Sequence, residues 1–251
     1  MNAAHVVAVT ELEGSPELAA SRLAVALGTT PYELRLALSA GLPAIVLMTP
    51  DAARARTVGE KIRSEGHRVV ACARADVAKS TSMTTLKDFR FDEQELLATG
   101  SGTGRLPFSD ILALLRASHR TTIETKSELK ERKLRPGMAI ATGGMVLTKT
   151  TTREVTSRTD EREQVLYLFR RGGAAPWILR ERSGRYAGLG TEVGRTTLEN
   201  FATTIRRLRE LSPGAFYDER LVQARAVRGI ADGVDAVDLL AHLLAMDAST
   251  R

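Results

Sequence analysis

The chain has 251 residues, 43% apolar and 26% charged, with a formal net charge of +6 and one cysteine. That balance excludes a disordered chain, and the lack of any 18-residue apolar run excludes a membrane-spanning helix. Cys72 standing alone excludes an intramolecular disulfide and a cysteine-only metal site.

The length suits two domains of about 75–150 residues or, alternatively, one larger domain, and either is large enough to bury a core. The N-terminal stretch MNAAHVVAVTELEG has neither a basic start nor a long apolar core, so it is no signal peptide and a cytoplasmic location is expected. The positive charge favours an anionic contact: nucleic acid, a membrane surface or an acidic protein. Aromatic residues make up only 4%, which argues against a stacking platform for single strands.

His5 to Val9 reads as a strand, followed by Ser15-Pro16-Glu17, a helix start with serine as cap and proline at the first helical position. Leu18, Arg22, Val25 and Ala26 then fall at helical spacing up to Gly28. Thr30-Pro31-Tyr32-Glu33 repeats the signal with a capping box, and Leu34, Ala37 and Leu38 form the buried stripe. Tyr32 and Leu36 are expected to pack against the rest of the chain, with a partner-binding patch as the alternative. Pro43 to Met48 is an apolar run of strand length, covered on at least one side. Thr49-Pro50-Asp51 opens a third helix with Ala55, Val58 and Ile62 on its core face, and Arg68 to Cys72 closes the unit as a strand around an inert, buried thiol.

This order of a helical hairpin, a strand, a charged alanine-rich helix ending in Glu65-Gly66-His67 and a final strand resembles the C-terminal domain of the bacterial ribosomal stalk protein and the related Clp-protease adaptor. The resemblance implies a βααβαβ sandwich over residues 1–78. Tyr32, Leu34 and Leu36 stand where that family's factor-binding surface is polar, so no functional residue is carried over.

Residues 76–85, DVAKSTSMTT, suit a linker, and beyond them strand patterns dominate. Leu86 to Phe91 and Leu96 to Ala98 read as a hairpin leading into an apolar run from Leu106 to Leu115. The glycines at 100, 102 and 104 and at 188, 190 and 194 miss the dinucleotide fingerprint, because Arg105 and Val193 stand where the third glycine is required, and both clusters are expected to be turns. Residues 123–137 read as a short solvated helix or loop. Met145 to Phe169 reads as a long hairpin with its polar turn at Arg158 to Glu161. Pro176 to Arg180 is a further strand, and Thr196 to Glu199 is a capping box for a helix with Leu198, Phe201, Ile205 and Leu208 on one face. Several strands plugged by such a helix are similar in pattern to the pleckstrin-homology-like superfold over residues 84–213. Residues 214–251 form a helical tail, basic and irregular or helical to Arg228, in which Asp232 caps a last helix carrying Val234, Val237, Leu240, Leu243 and Leu244. Its wide apolar face docks on the body or, alternatively, supports a homo-oligomer.

The reading is therefore an α+β chain: a βααβαβ sandwich, an antiparallel sheet-rich domain with an amphipathic helix, and the tail. The four histidines are scattered, no nucleophile elbow appears, and the sequence indicates no catalytic residue, metal or cofactor. Charge location is the informative signal. Residues 116–171 carry an excess of about six positive charges, with Lys149, Arg153, Arg158 and Arg162 along the expected hairpin as an anion-binding candidate. The expected function is a non-catalytic cytoplasmic adaptor binding a protein partner. The alternatives are nucleic-acid binding through the hairpin at 145–171 and an enzyme acting on a phosphorylated small molecule.

Overall fold

The computed structural model describes residues 4–99, 103–133, 149–223 and 233–251, with side chains outside 121–160. The class is α+β. Strand β1 (His5–Glu11), helices α1 (Pro16–Leu27) and α2 (Pro31–Ser39), strand β2 (Ala44–Thr49), helix α3 (Ala52–Ser64) and strand β3 (Arg68–Ala73) follow one another in that order. Their ends obey local chemistry. Ser15 caps α1 and accepts from the Leu18 amide, Gly28 closes it at φ 67°, and Thr30 with Glu33 forms a complete capping box. The cap of α3 is Asp51, which accepts from the amides of Ala53 and Arg54. Pro50 lies before that cap, not inside the helix as in α1 and α2, and Thr49 ends β2.

The first sheet is antiparallel throughout, in the order β2-β1-β3. Alternation along β1 divides its side chains: Val7 and Val9 face a layer made by α1–α3, while Val6 and Ala8 join a second core with Val70. On α1 the buried side is Ala19, Ala20, Leu23, Ala24 and Leu27, whereas Leu18 and Val25 point to solvent. The stripe expected from Leu18, Arg22, Val25 and Ala26 is thus the outer one, because a helix this rich in alanine is apolar on more than one side. Cys72 is half-buried, and burial with the charge of Asp76 pushes its thiol up to about 11, so it stays protonated.

The sheet-rich part comprises β4 (Thr84–Thr85), the meander β5 (Asp88–Phe91), β6 (Glu95–Thr99) and β7 (Gly104–Pro107), then β8 (Ile111–Lys133), β9 (Lys149–Arg170), β10 (Trp177–Arg180), α4 (Thr197–Leu211) and β11 (Phe216–Leu221). The main sheet runs β11-β8-β9-β10-β4, and the meander is separate. Three sequence expectations are corrected here. Residues 123–133 are strand, because β-branched Thr and Ile among alternating charges extend β8. The turn expected at Arg158 to Glu161 is strand as well, since that stretch has no Gly, Pro or Asn to reverse the chain. The tail contributes strand β11, parallel to β8. The glycines at 100 and 102 and the cap at Asp232 lie outside the described residues. Gly104 is in β7, where a Cβ would approach the Trp177 ring to 2.8 Å, and Gly188 is pressed against the Phe89 carbonyl. The chain divides into a unit of 1–119 with 163–251 and a second unit of 120–162, in which β8 and β9 continue as neighbouring strands.

The last helix, α5 (Gly233–Ala248), occupies the space between the two large sheets. Its leucines meet Val6, Ala8 and Val70 of the first sheet and Ala113, Leu115, Ala117, Val165, Tyr167, Phe169 and Ile178 of the second. The opposite face of the second sheet packs Leu114, Leu166, Leu168 and Leu179 against the meander and against Phe201, Ile205 and Leu208 of α4. Only Gly233 of α5 is exposed. A helix apolar all round belongs in an interior. The wide apolar face therefore docks on the body of the chain, and the alternative, a homo-oligomer through it, finds no exposed apolar surface on the described helix.

Two aspartates pin α5. Asp238 and Asp247 are nine residues apart, and at about 100° per residue they point to opposite sides of the helix. Each is 2% exposed. Asp238 accepts from the Tyr167 hydroxyl at 2.6 Å and from the Ser80 amide at 2.7 Å. The Tyr167 oxygen lies 2.5 Å from His119 Nε2, and Arg180 Nη1 lies 3.2 Å from His119 Nδ1. A guanidinium only donates, so Nδ1 accepts, Nε2 carries the proton and Tyr167 relays the chain of bonds to Asp238. Burial, with the charge of Asp238, holds the Tyr167 hydroxyl well above its ordinary range. Asp247 accepts from Thr10 Oγ1 at 2.9 Å, Arg68 Nε at 3.0 Å and Arg251 Nη2 at 3.0 Å.

Burial alone would raise the Asp247 carboxyl, but the bonds from Thr10, Arg251 and Arg68, with the charge of Arg68, outweigh it and hold the group below its ordinary value. Its contribution to stability is present above the unfolded value near 3.8 and is lost as pH falls through the lower folded value. Asp247→Asn is expected to cost about 2–3 kcal/mol at neutral pH, the range for a broken buried pair discounted for arginines that are a third exposed. Urea unfolding should show the gap between the two proteins narrowing in acid; an undiminished gap would refute this account.

Candidate binding groove

A cavity of about 1260 Å³ opens beside β2. Its lining includes residues 44–48 of β2, five in succession, and the last three residues of β11, 219–221, with the turn at 222–223 that follows them. Side chains of a strand alternate between faces, so a cavity touching every residue of a run follows the strand's edge and not one of its faces. Both strands stand at the outer end of their sheets. The cavity is therefore a groove between the β2 edge and the end of β11, lined also by Leu240 of α5, by Leu34, Leu36 and Ala37 of α2 and by Ala40, which caps that helix.

The β2 wall is apolar and half-buried from Ile45 to Met48. An apolar edge strand whose main-chain donors and acceptors lack a neighbouring strand is a template for another strand. Within β2 the pairing to β1 shifts between Val7 and Ala8, leaving Val46 without a partner residue. This bulge divides the edge into two short runs.

Charges at the groove are balanced locally. Arg116 binds Gln164 Oε1 at 2.9 and 2.6 Å and lies 3.5 Å from Glu219. Arg220 binds Asp218 at 2.7 Å and donates to the Thr10 carbonyl at 3.1 Å. Glu33 accepts from Thr29 Oγ1 at 3.0 Å and from the Thr30 amide at 3.3 Å as part of the α2 capping box.

Tyr32 and Leu36, expected to pack inside, are 65% and 62% exposed, and Leu36 lines the groove. α2 is only nine residues long and presents Leu34 and Leu38 to the core, which turns Leu36 outward. The four anion-binding candidates all fall in β9. Arg162 is exposed, while the side chains of Lys149, Arg153 and Arg158 lie outside the described residues. Among the described residues no three His, Cys, Asp or Glu side chains converge as metal ligands. His119, Tyr167 and Asp238 are at most 2% exposed and hold α5 in place. The groove has no signature of its own in the sequence: its apolar run reads as a strand, but nothing in a single strand's residues says whether it is central or at an edge.

Comparison with family models, with curated proteins and with solved structures gives no match to this chain.

If Leu36 contributes nothing to the chain's own packing, Leu36→Glu should change the unfolding free energy by less than about 0.5 kcal/mol. Leu34→Ala, on the buried side of the same helix, should cost about 2–5 kcal/mol. Equal losses in denaturant unfolding would place Leu36 in the core.

Proposed function

We propose that this protein is a non-catalytic adaptor that holds a protein partner in the groove between β2 and β11. The observation carrying the reading is Leu36, a large apolar side chain 62% exposed and continuous with an apolar sheet edge that no strand of the described residues pairs. Contiguous exposed apolar surface of this kind marks a contact with another chain. The cavity is also larger than the roughly 300–1,000 Å³ usual for a small-molecule site, and its walls are mainly aliphatic. A partner recovered on the immobilised protein, then purified and titrated by calorimetry, is expected to lose at least about tenfold in affinity with Leu36→Glu. Val193→Glu, at an exposed apolar position that does not line the groove, should leave it unchanged. Equal effects of both substitutions, or of neither, would refute the proposal.

A second reading rests on the composition of 120–133 of β8 and 149–162 of β9, which carry nine Lys or Arg against six Asp or Glu on two long neighbouring strands. A basic two-stranded ribbon fits the major groove of duplex DNA. Binding should weaken steeply with salt, and glutamine at Lys149, Arg153, Arg158 and Arg162 should flatten that dependence. Absence of binding to duplex or single-stranded oligonucleotides at low salt would remove this reading.

A further inference from the structure

Given the adaptor reading, on which this inference rests, we infer that the groove takes an uncharged, extended segment of another protein, about six residues long, added as a strand along β2. Three observations select that occupant. First, β2 and β11 both stand at the outer end of their sheets among the described strands, and the cavity touches every residue of β2 from Ala44 to Met48, as it does along a strand's edge. An extended segment satisfies such an edge with its own amides and carbonyls and places alternate side chains toward the apolar wall. A helix has already used its main-chain groups internally and cannot do so.

Second, the formal charges lining the groove cancel. Arg116 and Arg220 are matched by Glu33 and Glu219, and both arginines are engaged within the protein. A charged segment would lose hydration on entering and find no unbalanced counter-charge, so neutral segments are favoured. Third, a second copy of the chain fits poorly. The second wall at residues 219–223 leaves room beside β2 for a single extended segment, not for the edge of another folded sheet. Six extended residues span about 20 Å, which matches the length of β2.

The test uses the full chain and four labelled nine-residue peptides: alternating Val and Thr, the same with Glu replacing Thr, the same with Lys replacing Thr, and a helix-forming peptide of Leu, Ala and Gln. By fluorescence anisotropy the Val/Thr peptide is expected to bind at least about tenfold more tightly than the others. It should lose about tenfold on N-methylation of alternate amides and lose binding to the Leu36→Glu protein. Several outcomes would overturn the inference. Preference for the helical or charged peptide, or indifference to N-methylation, would do so while leaving the adaptor reading intact. Self-association that disappears with Leu36→Glu would assign the groove to a second copy. Peptide binding seen only after residues 224–232 are replaced by a Gly-Ser linker would assign it to the chain itself. If neither peptides nor any purified partner responds to Leu36→Glu, inference and reading fall together.

Discussion

The fold depends on one helix being acceptable to two sheets at once. Fifteen of the sixteen residues of α5 are out of full contact with solvent, so the helix contributes apolar surface in every direction around its axis. Apolar burial is non-directional and by itself would let α5 slide or rotate between its neighbours. The two aspartates remove that freedom. Asp247 reaches Thr10 and Arg68 in the first sheet, while Asp238 reaches Tyr167 in the second and the Ser80 amide between the sheets. Buried carboxylates are costly unless fully bonded, so only one rotation and one register of α5 satisfies both.

This arrangement also gives the segment at 76–85 its structure. Its Ser and Thr content reads as a linker, yet Ser80 is 2% exposed because its amide is a ligand of Asp238, and the Ala78 amide approaches His242 Nδ1 at 3.5 Å. The connection between the two halves of the chain is thus strapped along the helix that both halves cover.

Much of the first half was legible because its signals are local. Serine, threonine and proline at helix starts, glycine at helix ends and the apolar faces of α2 and α3 each depend on residues within a turn or two. The same locality explains the failures. Whether α1 buries Leu18 and Val25 or Leu23 and Leu27 is decided by the sheet it meets, and whether β2 is central or marginal is decided by strand order. Both are long-range properties. In the second half, the charged residues of β8 and β9 read as turn or loop, although their Thr and Ile neighbours suit extended backbone. The clearest missed signal was in α5 itself, where two acids nine residues apart interrupt an otherwise apolar helix. That spacing on an all-apolar helix marks opposed buried contacts.

The position of α5 in the chain has a consequence for assembly. Every other described element precedes it, so during synthesis the first sheet can gather α1–α3 on one face early, but Val6, Ala8 and Val70 on the other face wait until the last helix has emerged. The second sheet waits for the same helix. The nascent protein therefore carries two half-covered sheets whose completion is a single late event, and contacts between residues more than 150 positions apart close the structure together.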